Sequence, residues 1–226
     1  MFRFKKNKRT ELVHEIYRTL IPGDLHFDIG AHLGAKSKHL IGTGVKLILV
    51  EPQPDLAEKL SRSFAVDGNV VIQAGIGAIN GILDMSVSTG SPALSTFTDK
   101  WKSGRFLEHQ WDRTIQVNML TLDSLIRDYG EPRYVKVDVE GFETRVFEGL
   151  SKKTGVLSFE FASELLSDTE ICIGRLLDLG YSCFNVSFYE NRYFELPKWA
   201  DAATVLATIR QKMNSDHLLW GDLYAN

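Results

Sequence analysis

Three short apolar runs, spaced by helix-length segments, constrain the fold of this chain more than any other feature. Leu25–Ile29 runs into Gly30-Ala-His-Leu-Gly34, Lys46-Leu-Ile-Leu-Val50 ends in Glu51-Pro52, and Val70–Ala74 comes after the Asp67-Gly68 turn. Between them, Ala35–Ile41 reads as a helix closed by Gly42-Thr-Gly44, and Pro54–Ala65 as an amphipathic helix. Strand, helix, strand, helix, strand predicts a parallel sheet with helical crossovers. In such sheets ligands bind beyond the carboxyl ends of the strands, where the strand order reverses. The residues that close the strands are therefore the first candidates for chemistry.

The rest of the chain extends the pattern less regularly. Ile82–Ser88 and Ile115–Leu120 are strand candidates on either side of a polar, aromatic-rich segment, Ser91–Gln110. Thr121–Tyr129 opens a helix, Tyr134–Asp138 is a strand, Gly141 turns the chain, and Phe142–Gly149 is a helix. Val156–Phe161 is a strand and Glu164–Leu179 has helical periodicity. Tyr181–Phe188 and Tyr193–Leu196 are expected to pair as strands around Glu190-Asn191, and Ala200–Lys212 to form a late helix. With 226 residues and no convincing linker, the expectation is one domain, 24–226, preceded by a basic tail and short helix in 1–23.

Charge and apolar runs exclude several classes. The chain has 26 Lys+Arg and 29 Asp+Glu, but Arg3, Lys5, Lys6, Lys8 and Arg9 all lie in the tail. The remaining 26 − 5 = 21 basic residues face 29 acidic ones, an acidic body poorly suited to nucleic acid. No apolar run reaches the roughly 18 residues of a membrane helix, and the basic start leads into no apolar stretch of the kind a signal peptide has. A cytoplasmic location is expected. Cys172 and Cys183 match no metal or redox spacing and read as reduced thiols.

Asp28-Ile-Gly30-Ala-His-Leu-Gly34 is a strand-to-helix turn with glycines where the backbone bends or approaches a ligand. It is not a dinucleotide fingerprint. Aligning G-x-G-x-x-G from Asp28 puts Asp28 and Leu33 at glycine positions, and aligning from Gly30 puts His32 at the close-approach position. An aspartate at the strand end would also repel a pyrophosphate while attracting an ammonium group. S-adenosylmethionine carries that ammonium, a sulfonium and no phosphate. Glu51, 23 residues on, is placed to accept hydrogen bonds from both ribose hydroxyls. The loop Gln73-Ala-Gly75-Ile76 offers backbone groups and an apolar side chain to an adenine, and Asp138 lies toward the methionine end.

Asp28-Ile-Gly-Ala-His-Leu-Gly34, Val50-Glu-Pro-Gln-Pro54 and Val135-Lys-Val-Asp-Val-Glu-Gly-Phe-Glu143 together resemble the FkbM family of S-adenosylmethionine-dependent methyltransferases, over about residues 24–160. Trp220-Gly-Asp-Leu-Tyr224 is similar to the ends of many members. The Lys-Val-Asp-Val-Glu-Gly block is the part most specific to the family. Two positions depart from the pattern: His32, where the family usually has Asn, and Lys36, where an apolar or aromatic residue is common. The resemblance implies a class I, Rossmann-like α/β fold. Its mostly parallel seven-stranded sheet has the order 3-2-1-4-5-7-6, with helices on both faces. It also implies O-methylation of sugars, glycans or natural products, with S-adenosylhomocysteine as product.

The residues expected to hold the cofactor are Asp28, Gly30, Ala31, His32, Gly34, Glu51, Pro52, Gly75, Ile76 and Asp138. Methyl transfer to a hydroxyl needs an in-line geometry and a base for the departing proton. Asp138 and Glu140 are the candidate bases, sharing one face if the strand continues that far. Glu143 is weaker, because the helix dipole accounts for an acid in a first turn. Glu160 either shares a divalent cation with Asp138, pairs with a base such as Lys136, or binds substrate; a metal is not expected. Ser95, Thr96, Phe97, Trp101, Arg105 and Trp111 form either a lid over a polyhydroxylated acceptor or an ordinary packed excursion. The alternatives to a small-molecule or glycan O-methyltransferase are a nucleic-acid methyltransferase and a non-catalytic cofactor-binding relative. Against the former, Asp138-Val-Glu-Gly141 stands where amino-directed DNA enzymes carry an Asn/Asp-Pro-Pro-aromatic motif.

Overall fold

A computed structural model describes residues 14–226. The basic tail, and the start of the helix expected from Thr10, lie outside them. The described part opens with a 3-10 helix, Glu15–Thr19. Ten strands and five α-helices come after it. Strands β1 (Leu25–Ile29), β2 (Lys46–Val50), β3 (Val70–Ile72), β7 (Tyr134–Val137), β8 (Val156–Ala162), β9 (Phe184–Phe188) and β10 (Trp220–Ala225) form one sheet, ordered β3-β2-β1-β7-β8-β10-β9. All neighbours are parallel except those of β10, which runs antiparallel to both β8 and β9. A plain count of seven is interrupted between β3 and β7, where β4 (Gly75–Ile76), β5 (Gly81–Val87) and β6 (Arg113–Leu120) form a separate small sheet. The candidates at 82–88 and 115–120 are β5 and β6, and they pair with each other.

Helices cover both faces. On one, α1 (Pro54–Phe64) buries Leu56, Ala57, Leu60 and Phe64, a helical stripe whose last two members meet Leu47 and Leu49 of β2. On the other, α2 (Leu122–Tyr129), α3 (Glu143–Glu148), α4 (Leu166–Asp178) and α5 (Ala202–Met213) close the larger core around Phe27, Val135, Val137, Phe159 and Val186. Thr121 and Ser124 form a capping box on α2, which fixes its start beside β6. Among the described residues no helix is long and apolar enough to cross a membrane.

Two sequence expectations fail. The helix over 35–41 reduces to one 3-10 turn, Lys38–Leu40. Gly34 and Gly42, at φ +71° and +78°, bracket a segment too short for stable α-helical turns. The strand over 193–196 does not form, because on the edge of β9 that β10 leaves free the Asn185 side chain takes backbone groups through which it would pair. Along that edge the backbone bonds are Glu195 N–H to the Val186 carbonyl at 2.8 Å and, farther along, an exchange between Phe184 and Ala200, supplemented by the side chain of Asn185. Its amide donates to the Leu196 carbonyl at 3.0 Å and its carbonyl accepts from the Leu196 N–H at 3.2 Å.

Candidate active site

The carboxyl ends of β1, β2 and β7 open into a cleft enclosing about 930 Å³, mouth included, at the point where the strand order reverses. Asp28, Gly30, Ala31, His32, Glu51, Pro52, Gly75, Ile76, Asp138 and Glu140 all line it. Gly34 does not. A Cβ there would fall 2.3 Å from the Phe64 ring and 2.9 Å from Leu60, so this glycine lets the turn pack on α1.

The β1 turn is held by close backbone approach. Gly30 and Ala31 both donate to the Val50 carbonyl at 3.0 Å, and Asp138 donates its N–H to Ile29 at 2.9 Å. Gly30 has φ +77°, and a Cβ on it would lie 1.7 Å from the Asp138 carbonyl oxygen, so only glycine fits. His32 sits at φ +51°, a region that Asn, Asp and His tolerate better than most residues, which explains how His replaces the usual Asn. Its N–H donates to Glu51 Oε2 at 2.9 Å, while Glu51 Oε1 accepts from the Gln53 N–H at 2.9 Å. Glu51 is 3 % exposed, and burial pushes its carboxyl up to about 7 against the pull of those donors. Asp28 is 1 % exposed; its Oδ2 accepts from the Ser37 hydroxyl at 2.5 Å, and its buried Oδ1 has no partner among the described residues.

Acids gather at the end of β7. Asp138, Glu140 and Glu160 offer carboxylate oxygens within 4.8 Å of one another, a donor set a divalent cation could use. The protein itself supplies a counter-charge: buried Lys136 places its ammonium 2.7 Å from Asp138 Oδ2. Burial pulls the Lys136 ammonium down, but Asp138, Asp28 and Asp222 outweigh it and hold the proton on. Burial likewise raises Asp138, and the Lys136 ammonium overcomes it, keeping this carboxyl below its ordinary range. Glu140 and Glu160 go the other way, raised by burial and by the neighbouring Asp138 charge. Glu160 lies beside Asp138, their carboxylate oxygens within 4.8 Å. The acid that Lys136 pairs with is thus Asp138, not Glu160.

Glu140 has φ +54°, with Gly141 next to it at +88°. Strain of this kind persists where the surroundings hold it. The Thr96 hydroxyl donates to the Glu140 carbonyl at 2.7 Å, and Glu143 Oε1 accepts the N–H of Val139 at 3.2 Å and of Gly141 at 3.4 Å. Glu143 therefore shapes the turn rather than lining the cleft. The segment after β5 is a fastened wall. Ser95 and Phe97 line the cleft, Trp111 donates to the Leu94 carbonyl at 2.9 Å, and Arg105 pairs with Glu164 at 2.6 Å. Sequence reasoning missed Gln53, which lines the cleft and donates to the Pro92 carbonyl at 2.9 Å, and Ser37. Gln53 stands inside the Glu-Pro-Gln-Pro motif, so a signal for it was present; nothing marked Ser37.

The model of the family described as "Methyltransferase FkbM domain" matches residues 28–169, well over half of the chain. The chain belongs to the FkbM methyltransferase family. Membership makes it an S-adenosylmethionine-dependent methyltransferase. No curated protein matches it. Among solved structures, it is similar to precorrin 8W decarboxylase of Methanobacterium thermoautotrophicum, at 10 % identity over 100 % of this chain and 92 % of that one, TM-score 0.49. It is also similar to Aeropyrum pernix fibrillarin in complex with S-adenosyl-L-methionine, at 13 % identity over 91 % of this chain and 67 % of that one, TM-score 0.45. A Thermotoga maritima SAM-dependent O-methyltransferase matches at 10 % identity over 100 % of this chain and 67 % of that one, TM-score 0.43.

The cleft fits the cofactor. The unpartnered Asp28 Oδ1 is an acceptor awaiting a donor, and the glycine at position 30 keeps clear the backbone approach between β1 and β7.

Proposed function

We propose that this methyltransferase transfers a methyl group to a hydroxyl of a sugar, glycan or related polyhydroxylated small molecule. The observation that carries the reading is the acid cluster beside the cleft, in which one carboxyl is held ionised and its neighbours are driven toward high proton affinity. Bound S-adenosylmethionine supplies an electrophilic methyl carbon on a sulfonium, displaced in line by the acceptor oxygen.

The chain's own residues do the rest. Asp28 Oδ1 accepts from the cofactor's ammonium, Glu51 from the ribose hydroxyls, and Gly75 and Ile76 flank the adenine. Asp138, neutralised by Lys136, orients groups at the methyl end and is a poor base. Glu140, raised by burial and by Asp138, takes the proton that leaves the acceptor hydroxyl. Glu160 stands behind Asp138 in the acid cluster.

The test is turnover of S-adenosylmethionine against a panel of sugars, and then a pH–rate profile. Because Glu140 must be ionised to act, the rate should rise with pH, its midpoint displaced above the ordinary carboxylate range, and Glu140→Gln should lose about 10²–10⁴-fold in kcat. Asp138→Asn should keep the fold and lose less in kcat. A Glu140→Gln enzyme with wild-type kcat and an unchanged pH profile would remove Glu140 as the base.

A further inference from the structure

Asp28 is the one charged residue of β1, and the structure shows what controls its two oxygens. His26 and Asp28 lie two apart on the same face of the strand. The chain then returns through the turn that replaces the expected helix. There Ser37 and Lys38 both donate their N–H to the Gly34 carbonyl, at 3.1 and 2.8 Å, and the turn places the Ser37 hydroxyl between His26 and Asp28. All three side chains are at most 1 % exposed.

The hydrogens in this trio can be counted. A carbonyl only accepts, so the 3.0 Å contact between His26 Nδ1 and the Tyr134 carbonyl puts a hydrogen on Nδ1. Burial favours the neutral ring, which leaves Nε2 as an acceptor 3.2 Å from Ser37 Oγ. Ser37 has a single hydrogen and two acceptors. The contact to Asp28 Oδ2 is the shorter, 2.5 Å, in the range of a hydroxyl bound to an ionised carboxylate, and it takes the hydrogen. His26 cannot swing away, because its ring stacks on Tyr134 at 4.9 Å and meets the edge of Tyr17 at 5.6 Å. Oδ2 is thereby occupied, while Oδ1 remains buried and without a partner among the described residues.

We infer that Ser37 is a positioning residue for the cofactor: it fixes the rotation of the Asp28 carboxylate so that Oδ1 alone is presented to the ammonium group of S-adenosylmethionine. The inference rests on the reading of the cleft as the cofactor site. Without the hydroxyl, the carboxylate loses the hydrogen bond that fixes Oδ2 and is free to turn toward other partners, either oxygen then facing the cleft or the sheet. That freedom weakens the ammonium contact and leaves the adenine and ribose contacts intact.

The test compares binding of S-adenosylhomocysteine, which has the amino-acid portion, with binding of methylthioadenosine, which lacks it, by calorimetry on the full chain. In Ser37→Ala the affinity for S-adenosylhomocysteine should fall about tenfold or more, while that for methylthioadenosine stays within about twofold. Ser37→Thr, which restores a hydroxyl, should recover most of the difference. Equal losses for both ligands would make Ser37 a merely structural residue and overturn the inference, as would unchanged affinities for both. Asp28→Asn separates the two levels and serves if Ser37→Ala does not fold. A selective loss of S-adenosylhomocysteine there, with Ser37→Ala and Ser37→Thr both like wild type, refutes only the role of Ser37. A wild-type protein that binds neither ligand would refute the cofactor reading, and this inference with it.

Discussion

Glu51 gives the sharpest quantitative test, because its burial has a cost that grows with pH. Its carboxyl is 3 % exposed and is raised from 4.5 to about 7 by burial. At roughly 1.4 kcal/mol per pH unit, that difference corresponds to about 3 kcal/mol. Below pH 4.5 the folded and unfolded chains both hold the proton and nothing is lost. Between 4.5 and about 7 the unfolded chain has released it and the folded chain has not, so stability falls as pH rises; above 7 the loss is complete. Glu51→Gln has no such slope. Its amide keeps one acceptor for the N–H groups of His32 and Gln53 and loses the other, a fixed penalty of about 1–3 kcal/mol at every pH. The variant should therefore be less stable than wild type at pH 5 and should gain about 2–3 kcal/mol on it by pH 8. Urea unfolding of both proteins at the two pH values measures this. Its affinity for S-adenosylhomocysteine should fall at the same time, since the ribose loses a charged acceptor. Equal stability differences at pH 5 and pH 8 would refute the claim that an ionising Glu51 is held there at a cost.

Two further substitutions test the architecture of the site. Gly30→Ala would put a Cβ 1.7 Å from the Asp138 carbonyl oxygen and should lower stability by about 3 kcal/mol or more in a thermal melt, whereas Gly42→Ala, at similar φ with open space around it, should lose only about 1–2 kcal/mol. Lys136→Met removes the counter-charge of Asp138 and should destabilise by about 3–5 kcal/mol at pH 8, and by less at pH 5, where Asp138 without its ammonium partner takes up a proton; a pH-independent loss in urea unfolding would show that the ion pair is not its cause.

The cleft was legible in the sequence because every part of it lies within a few residues of a strand end. Asp28, Glu51 and Asp138 each close a run of apolar residues, and once those runs are laid side by side in a parallel sheet the three carboxylates converge without further information. The parts that were not legible depend on pairings between distant residues. The small sheet joins β4 to β6 across about 40 residues, and nothing in the local pattern of either strand shows that it leaves the main sheet. The strand over 193–196 is a fair expectation from composition, but the side chain of Asn185 in β9 takes the Leu196 N–H and carbonyl in place of a backbone partner. Ser37 was invisible for a related reason. Its role depends on a tight turn where periodicity suggested a helix, and in a helix its hydroxyl would not return to Asp28.

The charged groups inside the sheet arise from the position of the cleft rather than from stability. Strands buried on both faces in a parallel sheet are normally apolar throughout. Here β1 and β7 instead carry His26 opposite Tyr134 and Asp28 opposite Lys136, in direct register and buried. Replacing such a set by apolar residues would cost the fold little, since a buried ion pair recovers in Coulomb energy about what it loses in hydration. Its use is positional. Lys136 stands among Asp28 of β1, Asp222 of β10 and Asp138 just past the end of β7, so a buried ammonium lets acids crowd at the strand ends without driving them apart. Charge on the methyl side is thereby set from beneath, by a residue already in place before any ligand enters. Asp28, facing the cleft, keeps its buried Oδ1 without a partner among the described residues, an acceptor left for the ligand that binds there.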